Sequence, residues 1–267
     1  MRYDTELGYA LSRGELVLHY QPKIDTKTHR LVGVEALVRW QHPVRGLIPP
    51  ADFIPFAEES GLILPIGSWV MHAACAQNAA WQEEGLPAIS IAVNLSARQF
   101  GHDNLVGLIK QVLWDTRMDP RYLELELTES VLVQEAEQAV PMLLRLNDFG
   151  IQLSLDDFGT GYSSLNYLSR FPLDNLKIDR SFVQGMARNS HDAIIVKTMI
   201  ALAHDLGLKA VAEGVETKEE LDLLTAYGCD EIQGFYFSKP LPADDFKRLL
   251  EIELSAGPHI GHNFSCQ

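Results

Sequence analysis

The sequence predicts an α/β fold, and a (β/α)8 barrel is the architecture that accounts for it most simply. Eight short apolar strand patterns alternate with helical patterns over most of the 267 residues, as they do in barrels and in doubly wound sheets. Three junctions, at Gly150, Gly207 and Gly228, end a helix with glycine and start a strand at once. A doubly wound open sheet is the alternative, but the sequence has no GxGxxG fingerprint after its first strand and no Walker-type loop.

Each element follows from its periodicity. Apolar alternation predicts strands at residues 16–20, 31–38, 89–95, 122–128, 151–156, 175–179, 208–213 and 231–235. Helical spacing predicts helices at residues 65–84, 104–114, 135–149, 193–206 and 218–227, and a further helix near the N-terminus. No low-complexity linker interrupts the chain, so residues 1–254 are expected to form one domain. Residues 255–267 are polar with Gly and Pro, and we expect a flexible C-terminal tail there.

Composition excludes several classes of protein. The chain has 36 Asp and Glu against 22 Lys and Arg, a net charge of −14, and no basic run. A protein that binds duplex nucleic acid by neutralising phosphates is therefore not expected. Three scattered cysteines fit a reducing compartment. The sequence shows no signal peptide and no apolar stretch near the roughly 18 residues of a membrane span, so we expect a soluble, cytoplasmic chain without membrane insertion.

Strand parity gathers polar side chains on one face. Opposite the apolar face, and late in their strands, lie Asn94, Glu126, Asp156, Lys177 and Asp179, joined by Glu35 and Glu213. In a barrel these positions face the mouth where active sites are built. Carboxylates that converge there stay ionised only beside cations, and oxygen ligands without His or Cys suit Mg²⁺ or Mn²⁺. In two-sided antiparallel strands, the alternative, the same side chains would simply be solvated.

Eight motifs occur in a fixed order along the chain. They are YQP at 20–22, EALVRW from Glu35, VNLS at 93–96, ELTES at 126–130, DDFGTGYSSL at 156–165, LKIDRSFV at 176–183, AEGVET at 212–217 and QGF at 233–235. Their order and spacing, over about residues 7–250, resemble the EAL-domain family of cyclic di-GMP phosphodiesterases. The resemblance implies a modified TIM (β/α)8 barrel with an antiparallel first strand. It also implies hydrolysis of cyclic di-GMP to linear pGpG by a water activated by two Mg²⁺ or Mn²⁺ ions.

The resemblance also implies roles for individual residues. The metal ligands would be Glu35, Asn94, Glu126, Asp156 and Asp157. Glu213 matches the proposed general base, Lys177 the lysine near the attacking water and Asp179 its acidic neighbour. Substrate-side positions are Gln21, Arg39, Glu216, Gln233 and the loop 157–163, and Glu129 matches the glutamate that tethers this loop.

Two other functions remain open at this stage. The chain would be a receptor that only binds cyclic di-GMP if it had lost ligands, but every expected ligand and the base are present. Another metal-dependent barrel enzyme, such as an enolate-forming lyase with Lys177 as its base, leaves the remaining motifs unexplained.

The family resemblance further implies signal transduction, homodimers that pair near the 157–163 loop, and sensory domains in a longer parent protein that can be anchored in a membrane.

Overall fold

The computed structural model describes residues 3–102, 104–129, 131, 136–159, 168 and 170–256. Its strands are β1 (Leu16–Asp25), β2 (Leu31–His42), β3 (Gly46–Ile48), β4 (Ser90–Leu95), β5 (Leu123–Thr128), β6 (Gln152–Phe158), β7 (Asn175–Ile178), β8 (Lys209–Glu213) and β9 (Glu231–Gln233). Its helices are α1 (Tyr3–Ala10), α2 (Pro50–Ser60), α3 (Ile63–Glu83), α4 (Ala97–Phe100), α5 (Leu105–Thr116), α6 (Ala136–Asp148), α7 (Arg180–Val183), α8 (Ser190–Asp205), α9 (Lys218–Tyr227) and α10 (Ala243–Ala256), with a 3₁₀ turn at Pro120–Tyr122.

Eight of these strands close into a barrel. The order is β1-β9-β8-β7-β6-β5-β4-β2, and pairing between β2 and β1 completes the ring. β1 runs antiparallel to both of its neighbours, β2 and β9, whereas the pairs from β2 through β4 to β9 are parallel. The predicted modified barrel with an antiparallel first strand is therefore confirmed.

The apolar parity of the strands forms the layer between the barrel and its helices. Leu123, Leu125 and Leu127 on β5 are fully buried, as are Leu153 on β6 and Leu176 on β7. Each such leucine contributes about 1.5–3 kcal/mol by leaving water. The opposite face of the same strands is thereby fixed toward the interior of the barrel.

Glycines end the helices as predicted. Gly150, Gly207 and Gly228 have φ values of 95°, 76° and 82°, which only glycine adopts without a steric penalty. The other end of α9 is set by a capping box, in which Thr217 accepts from the backbone N–H of Glu220 and the Glu220 side chain accepts from that of Thr217. The three glycines keep the connections from these helices to the following strands short.

Several elements differ from the predicted bounds. β1 continues five residues past the predicted end at residue 20, and the three-residue β3, which pairs with β2, was not predicted. The sequence analysis also missed α2 and α10. Helix α10 continues through Ser255 to Ala256, and the rest of the predicted tail, residues 257–267, lies outside the described residues. Over the part of the chain that the structure describes, no helix combines the length and apolarity needed to cross a membrane.

Candidate active site

Strand register brings the predicted polar residues to one end of the barrel. Asn94 on β4 lies opposite Glu126 on β5, and Thr128 two residues later lies opposite Asp156 on β6. Glu213 on β8 lies opposite Gln233 on β9. On the antiparallel side, Gln21 on β1 lies opposite Glu35 on β2. The mouth is therefore lined from most of the strands of the barrel by side chains of the inward parity.

A buried lysine occupies the centre of this group. Lys177 Nζ lies 2.6 Å from Glu213 Oε1, 2.8 Å from Glu126 Oε2 and 3.3 Å from Asp156 Oδ1. The residue is only 1% exposed. Burial by itself would lower its pKa, but the charges of Asp156, Glu126 and Glu213 outweigh burial and hold the pKa well above its usual value. The Lys177 ammonium is thus shared by three acidic side chains, which favour its charged form.

Amide side chains hold a second part of the mouth. Asn94 Nδ2 donates to Glu35 Oε1 at 2.7 Å, and Gln233 Nε2 donates to Glu35 Oε2 at 2.5 Å. Gln233 Nε2 also donates to Gln21 Oε1 at 3.0 Å. Gln21 is held in turn, because its own Nε2 donates to the carbonyl oxygen of Ser238 at 3.2 Å. These contacts unite four residues that are far apart in the sequence.

Burial and neighbouring charges shift the pKa values of the carboxylates of the mouth in different directions. Burial, together with the charge of Glu126, raises the pKa of Glu35 to about 7. Burial, opposed by Lys177 but reinforced by Asp156, raises the pKa of Glu213 to about 8. Burial would also raise the pKa of Glu126, but the ammonium groups of Lys177 and Lys23 lower it to about 2. A site of this kind gains stability from additional cations.

Asp157 leaves the regular alternation of β6. Its φ is 54°, in the left-handed region that residues other than glycine seldom occupy. The β6–β7 register shifts between Leu155 and Phe158, and the backbone N–H of Asp157 donates to Asp156 Oδ1 at 2.9 Å. Burial and the neighbouring Asp156 raise the pKa of Asp157. Two consecutive aspartates are thus presented at the mouth, where a regular strand would point them to opposite faces.

The donor set fits a hard divalent cation. Glu35, Glu126, Asp156 and Asp157 offer carboxylate oxygens, and Asn94, whose nitrogen faces Glu35, offers its amide oxygen. Oxygen-only sets of this kind suit Mg²⁺ or Mn²⁺. Within the described ranges, however, no three His, Cys, Asp or Glu side chains are already gathered as a metal site. Lys177 Nζ instead lies among three of the carboxylates.

Comparison with known protein families shows which family this chain belongs to. The family model described as EAL domain matches residues 4–240. The chain belongs to the EAL domain family. The resemblance seen in the motifs is thereby confirmed.

Relatives of this EAL domain include proteins with named activities. It is 48% identical over 239 residues to the bifunctional diguanylate cyclase/cyclic di-GMP phosphodiesterase MucR of Pseudomonas aeruginosa, covering 90% of this chain and 35% of that protein. It is 46% identical to the cyclic di-GMP phosphodiesterase PdeR of Escherichia coli, covering 92% and 37%. The solved PaMucR phosphodiesterase in complex with c-di-GMP superposes with a TM-score of 0.88 at 47% identity, covering 91% of this chain and 98% of that chain. The EAL domain spans about a third of the length of these curated relatives.

Three further residues that were predicted for the site make hydrogen bonds with residues outside the central cluster. Arg39 is half-buried, and its Nη1 donates to the carbonyl oxygen of Val38 at 2.8 Å. Burial lowers the pKa of Arg39, and the charge of Glu35 opposes that change. Asp179 caps α7 by accepting from the backbone N–H of Ser181 at 3.0 Å. Glu216 is exposed and accepts from Gln184 Nε2 at 3.0 Å.

Glu129 is buried beside the end of β5. It is 7% exposed, and neither of its carboxyl oxygens has a hydrogen-bond partner among the residues that the structure describes. Most of the loop that Glu129 was predicted to tether lies outside those residues, at 160–163. The tethering role therefore stays a prediction.

Glycines next to two site residues have a structural reason that sequence analysis missed. A Cβ on Gly234, which follows Gln233, would lie 2.1 Å from the carbonyl oxygen of Val215. A Cβ on Gly214, which follows Glu213, would lie 2.4 Å from Arg180 Cβ, and φ there is 70°. A larger residue at position 234 would push the ends of β8 and β9 apart, and one at position 214 would push the end of β8 away from the start of α7. In the sequence, the EGV and QGF motifs are the visible signal of this close approach.

A layer of buried polar residues below the mouth was also missed. It consists of Lys23, Glu124, Ser154 and Asn175, all at most 4% exposed. Glu124 and Ser154 lie on the predicted inward parity of their strands, so alternation could have indicated them. Lys23 could not be found in this way, because the predicted first strand ended at residue 20.

An apolar cavity opens beside the mouth. It has a volume of about 410 Å³ and lies between β2, α2, α3 and the end of β4, with Asn94 and Ser96 in its lining. Its apolar lining includes Leu37 and Ile54. Cavities of this size and character are typical of small-ligand sites.

Proposed function

We propose that this chain hydrolyses one phosphodiester bond of cyclic di-GMP and releases linear pGpG, with the help of two Mg²⁺ or Mn²⁺ ions. Membership of the EAL family and the activities named for MucR and PdeR support the substrate. The observation that carries the proposal is the intact acidic cluster around one lysine. Glu126, Asp156 and Glu213 all lie within 3.3 Å of Lys177 Nζ, with Glu35 and Asn94 paired alongside.

The ions would be held by the oxygen donors Glu35, Asn94, Glu126, Asp156 and Asp157. When bound, two divalent cations supply an activated water and neutralise charge on the phosphoryl group. The raised pKa values of Glu35 and Glu213 support this assignment, because burial and the neighbouring carboxylates disfavour their ionised forms, which bound cations would stabilise. The acidic net charge of the chain agrees with it, since a dianionic substrate needs cations at its binding site.

Glu213 is the residue that takes the proton of the attacking water. A general base works best when its pKa is near the operating pH, and the pKa of Glu213, about 8 before cations bind, is lowered toward that range by added positive charge. Lys177 Nζ, 2.6 Å from Glu213 Oε1, fixes the carboxylate and carries a positive charge at the same place. Lys177 therefore orients the base and stabilises charge that develops on the phosphate.

Arg39 and the apolar cavity are assigned to the substrate. The planar guanidinium of Arg39 can donate two parallel hydrogen bonds to a phosphate, and Val38 beside it lines the cavity. The cavity of about 410 Å³ has an apolar lining that suits one face of a guanine base. Gln21 and Gln233 hold Glu35 on the opposite side of the mouth.

The wider setting of this domain is also a proposal. The chain covers only 35–37% of the length of MucR and PdeR, so we propose that it is the phosphodiesterase part of a longer signalling protein that acts in the cytoplasm. The proposed homodimer would pair near the 157–163 loop. Sedimentation of the purified chain with and without Mn²⁺ and cyclic di-GMP checks that assembly.

The test is incubation of the purified chain with cyclic di-GMP in Mn²⁺ and in EDTA, with the products separated by chromatography. We expect pGpG in Mn²⁺ and unchanged substrate in EDTA. Glu213→Gln is the matched variant, because it keeps the size of the side chain and removes the base, and it should bind cyclic di-GMP without hydrolysing it. Binding without turnover by the unmodified chain would make the protein a receptor and refute the proposed activity.

A further inference from the structure

Lys23 places a second ammonium group inside the barrel, below Lys177. The residue lies in β1 and is completely buried. Its Nζ is 3.0 Å from Glu124 Oε2 and 2.9 Å from Glu126 Oε1. A buried charge is tolerated only when it is paired, and Lys23 is paired with one carboxylate of the mouth and one beneath it.

The polar layer around Lys23 is related to the mouth by a step of two residues. Glu124 precedes Glu126 on β5, Ser154 precedes Asp156 on β6, and Asn175 precedes Lys177 on β7. Because side chains two residues apart share one face of a strand, the layer lies directly below the mouth. On the antiparallel β1, Lys23 instead follows Gln21.

The stem of Lys23 passes beside Gly33 at ordinary van der Waals distance. Gly33 is the residue opposite Lys23 in the β1–β2 register. A Cβ at Gly33 would lie 3.6 Å from Lys23 Cδ and 2.5 Å from Ser90 Oγ. The stem of Lys23 therefore crosses the barrel at a position where β2 presents no side chain.

The contacts link Glu126 to a fixed support. Its Oε1 faces Lys23 and its Oε2 faces Lys177, at 2.9 Å and 2.8 Å. Lys23 is itself tied to Glu124, which accepts from Asn175 Nδ2 at 3.1 Å and from Ser154 Oγ. Four strands thus determine where the Glu126 carboxylate lies.

We propose that Lys23 is a positioning residue, which holds the Glu126 carboxylate in the orientation that lets it bind a metal ion. This inference rests on the proposed function, because it assumes that Glu126 is a ligand. Partners that orient metal ligands typically change metal affinity by roughly tenfold to a hundredfold when they are removed. If Lys23 only neutralised Glu124, its removal together with the Glu124 charge would leave metal binding unchanged.

The double variant Lys23→Met with Glu124→Gln separates these two roles. It removes one positive and one negative charge, and the amide oxygen introduced at position 124 can still accept from Ser154 and Asn175. Metal affinity is measured without substrate, by the electron paramagnetic resonance signal of free Mn²⁺ during titration. We expect an affinity roughly ten to a hundred times weaker than that of the unmodified chain. Lys27→Met is the matched control, since Lys27 is exposed on the same hairpin, and it should bind Mn²⁺ normally.

A second measurement needs no variant to fold. In the unmodified chain, the ¹⁵N signal of the Lys23 ammonium should shift when Mg²⁺ saturates the site, because the Glu126 carboxylate that Lys23 contacts would then share its negative charge with the ion, while the Lys27 signal stays in place. A folded double variant with unchanged Mn²⁺ affinity, or a Lys23 signal that Mg²⁺ does not move, would overturn the positioning role alone. An unmodified chain that binds no Mn²⁺ would overturn the proposed metal chemistry and this inference with it.

Discussion

Replacement of Lys177 by methionine should destabilise the metal-free protein strongly and the metal-bound protein much less. The ammonium is 1% exposed and is the shared partner of Glu126, Asp156 and Glu213. Removing one partner from a buried ion pair typically costs about 3–5 kcal/mol, because it leaves a charge buried without compensation. For a domain of this size about 1 kcal/mol lowers Tm by roughly 2–4 °C, so Tm in EDTA should fall on the order of 10 °C. Saturating Mn²⁺ should recover part of the loss, since cations would then compensate the same carboxylates.

The assay is thermal unfolding followed by circular dichroism, in EDTA and in Mn²⁺. Lys209→Met is the matched control, because Lys209 Nζ lies 2.8 Å from Glu231 Oε1 but its side chain is 61% exposed. Surface pairs of this kind contribute less than about 1 kcal/mol. The reasoning is refuted if Lys177→Met costs no more than Lys209→Met in EDTA, or if Mn²⁺ leaves the difference between them unchanged.

We expect hydrolysis to be abolished in each of three variants, Glu35→Ala, Asn94→Ala and Asp156→Ala, because each removes an oxygen donor for the metal. Turnover at saturating Mn²⁺ measures this. Ca²⁺ should permit substrate binding but little turnover, since it is larger and takes less regular coordination than Mg²⁺; parallel binding and turnover assays measure both. Glu129→Ala should slow hydrolysis at limiting metal while the circular dichroism spectrum stays unchanged. Mn²⁺ binding should release protons and weaken as the pH falls from about 8 toward 6. The pKa values of Glu35 and Glu213 are raised to about 7 and about 8, so below them protons occupy Glu35, a proposed ligand, and Glu213, its neighbour in the cluster, and thereby oppose the cation. Calorimetry in buffers of different ionisation enthalpy detects the released protons.

Each of these expectations has an outcome that contradicts it. Near-normal turnover in any of the three alanine variants would remove that residue from the metal ligands. Full turnover with Ca²⁺ alone would contradict the need for Mg²⁺ or Mn²⁺. Unchanged turnover of Glu129→Ala would remove its role at the loop, and loss of the spectrum would make it a folding residue. Mn²⁺ binding that is independent of pH would show that Glu35 and Glu213 are already ionised.

Alternation on β5 shows what the sequence can determine. Leu123, Leu125 and Leu127 are fully buried beneath the helices, so parity alone directs Glu126 into the barrel. The same rule correctly brings Asp156, Lys177 and Glu213 to the mouth, where the three meet. Such predictions succeed because a strand with one apolar face can bury that face in only one way.

Contacts between distant strands are what periodicity does not show. The predicted first strand stopped at residue 20, because Gln21 and Lys23 break the apolar pattern, yet both are buried on β1. Their polar groups are satisfied by residues about 100 or 200 positions away, such as Glu124 and Gln233. The positive φ of Asp157 likewise depends on a register shift between β6 and β7, which local propensity does not encode.

The most direct test of the proposed activity is hydrolysis of cyclic di-GMP in H₂¹⁸O, followed by mass spectrometry of the products. If Glu213 takes the proton of a water that attacks one phosphodiester, each pGpG formed in Mn²⁺ carries one ¹⁸O in its terminal phosphate, and EDTA prevents its formation. Intact cyclic di-GMP after incubation with Mn²⁺, or pGpG without the label, would contradict the account.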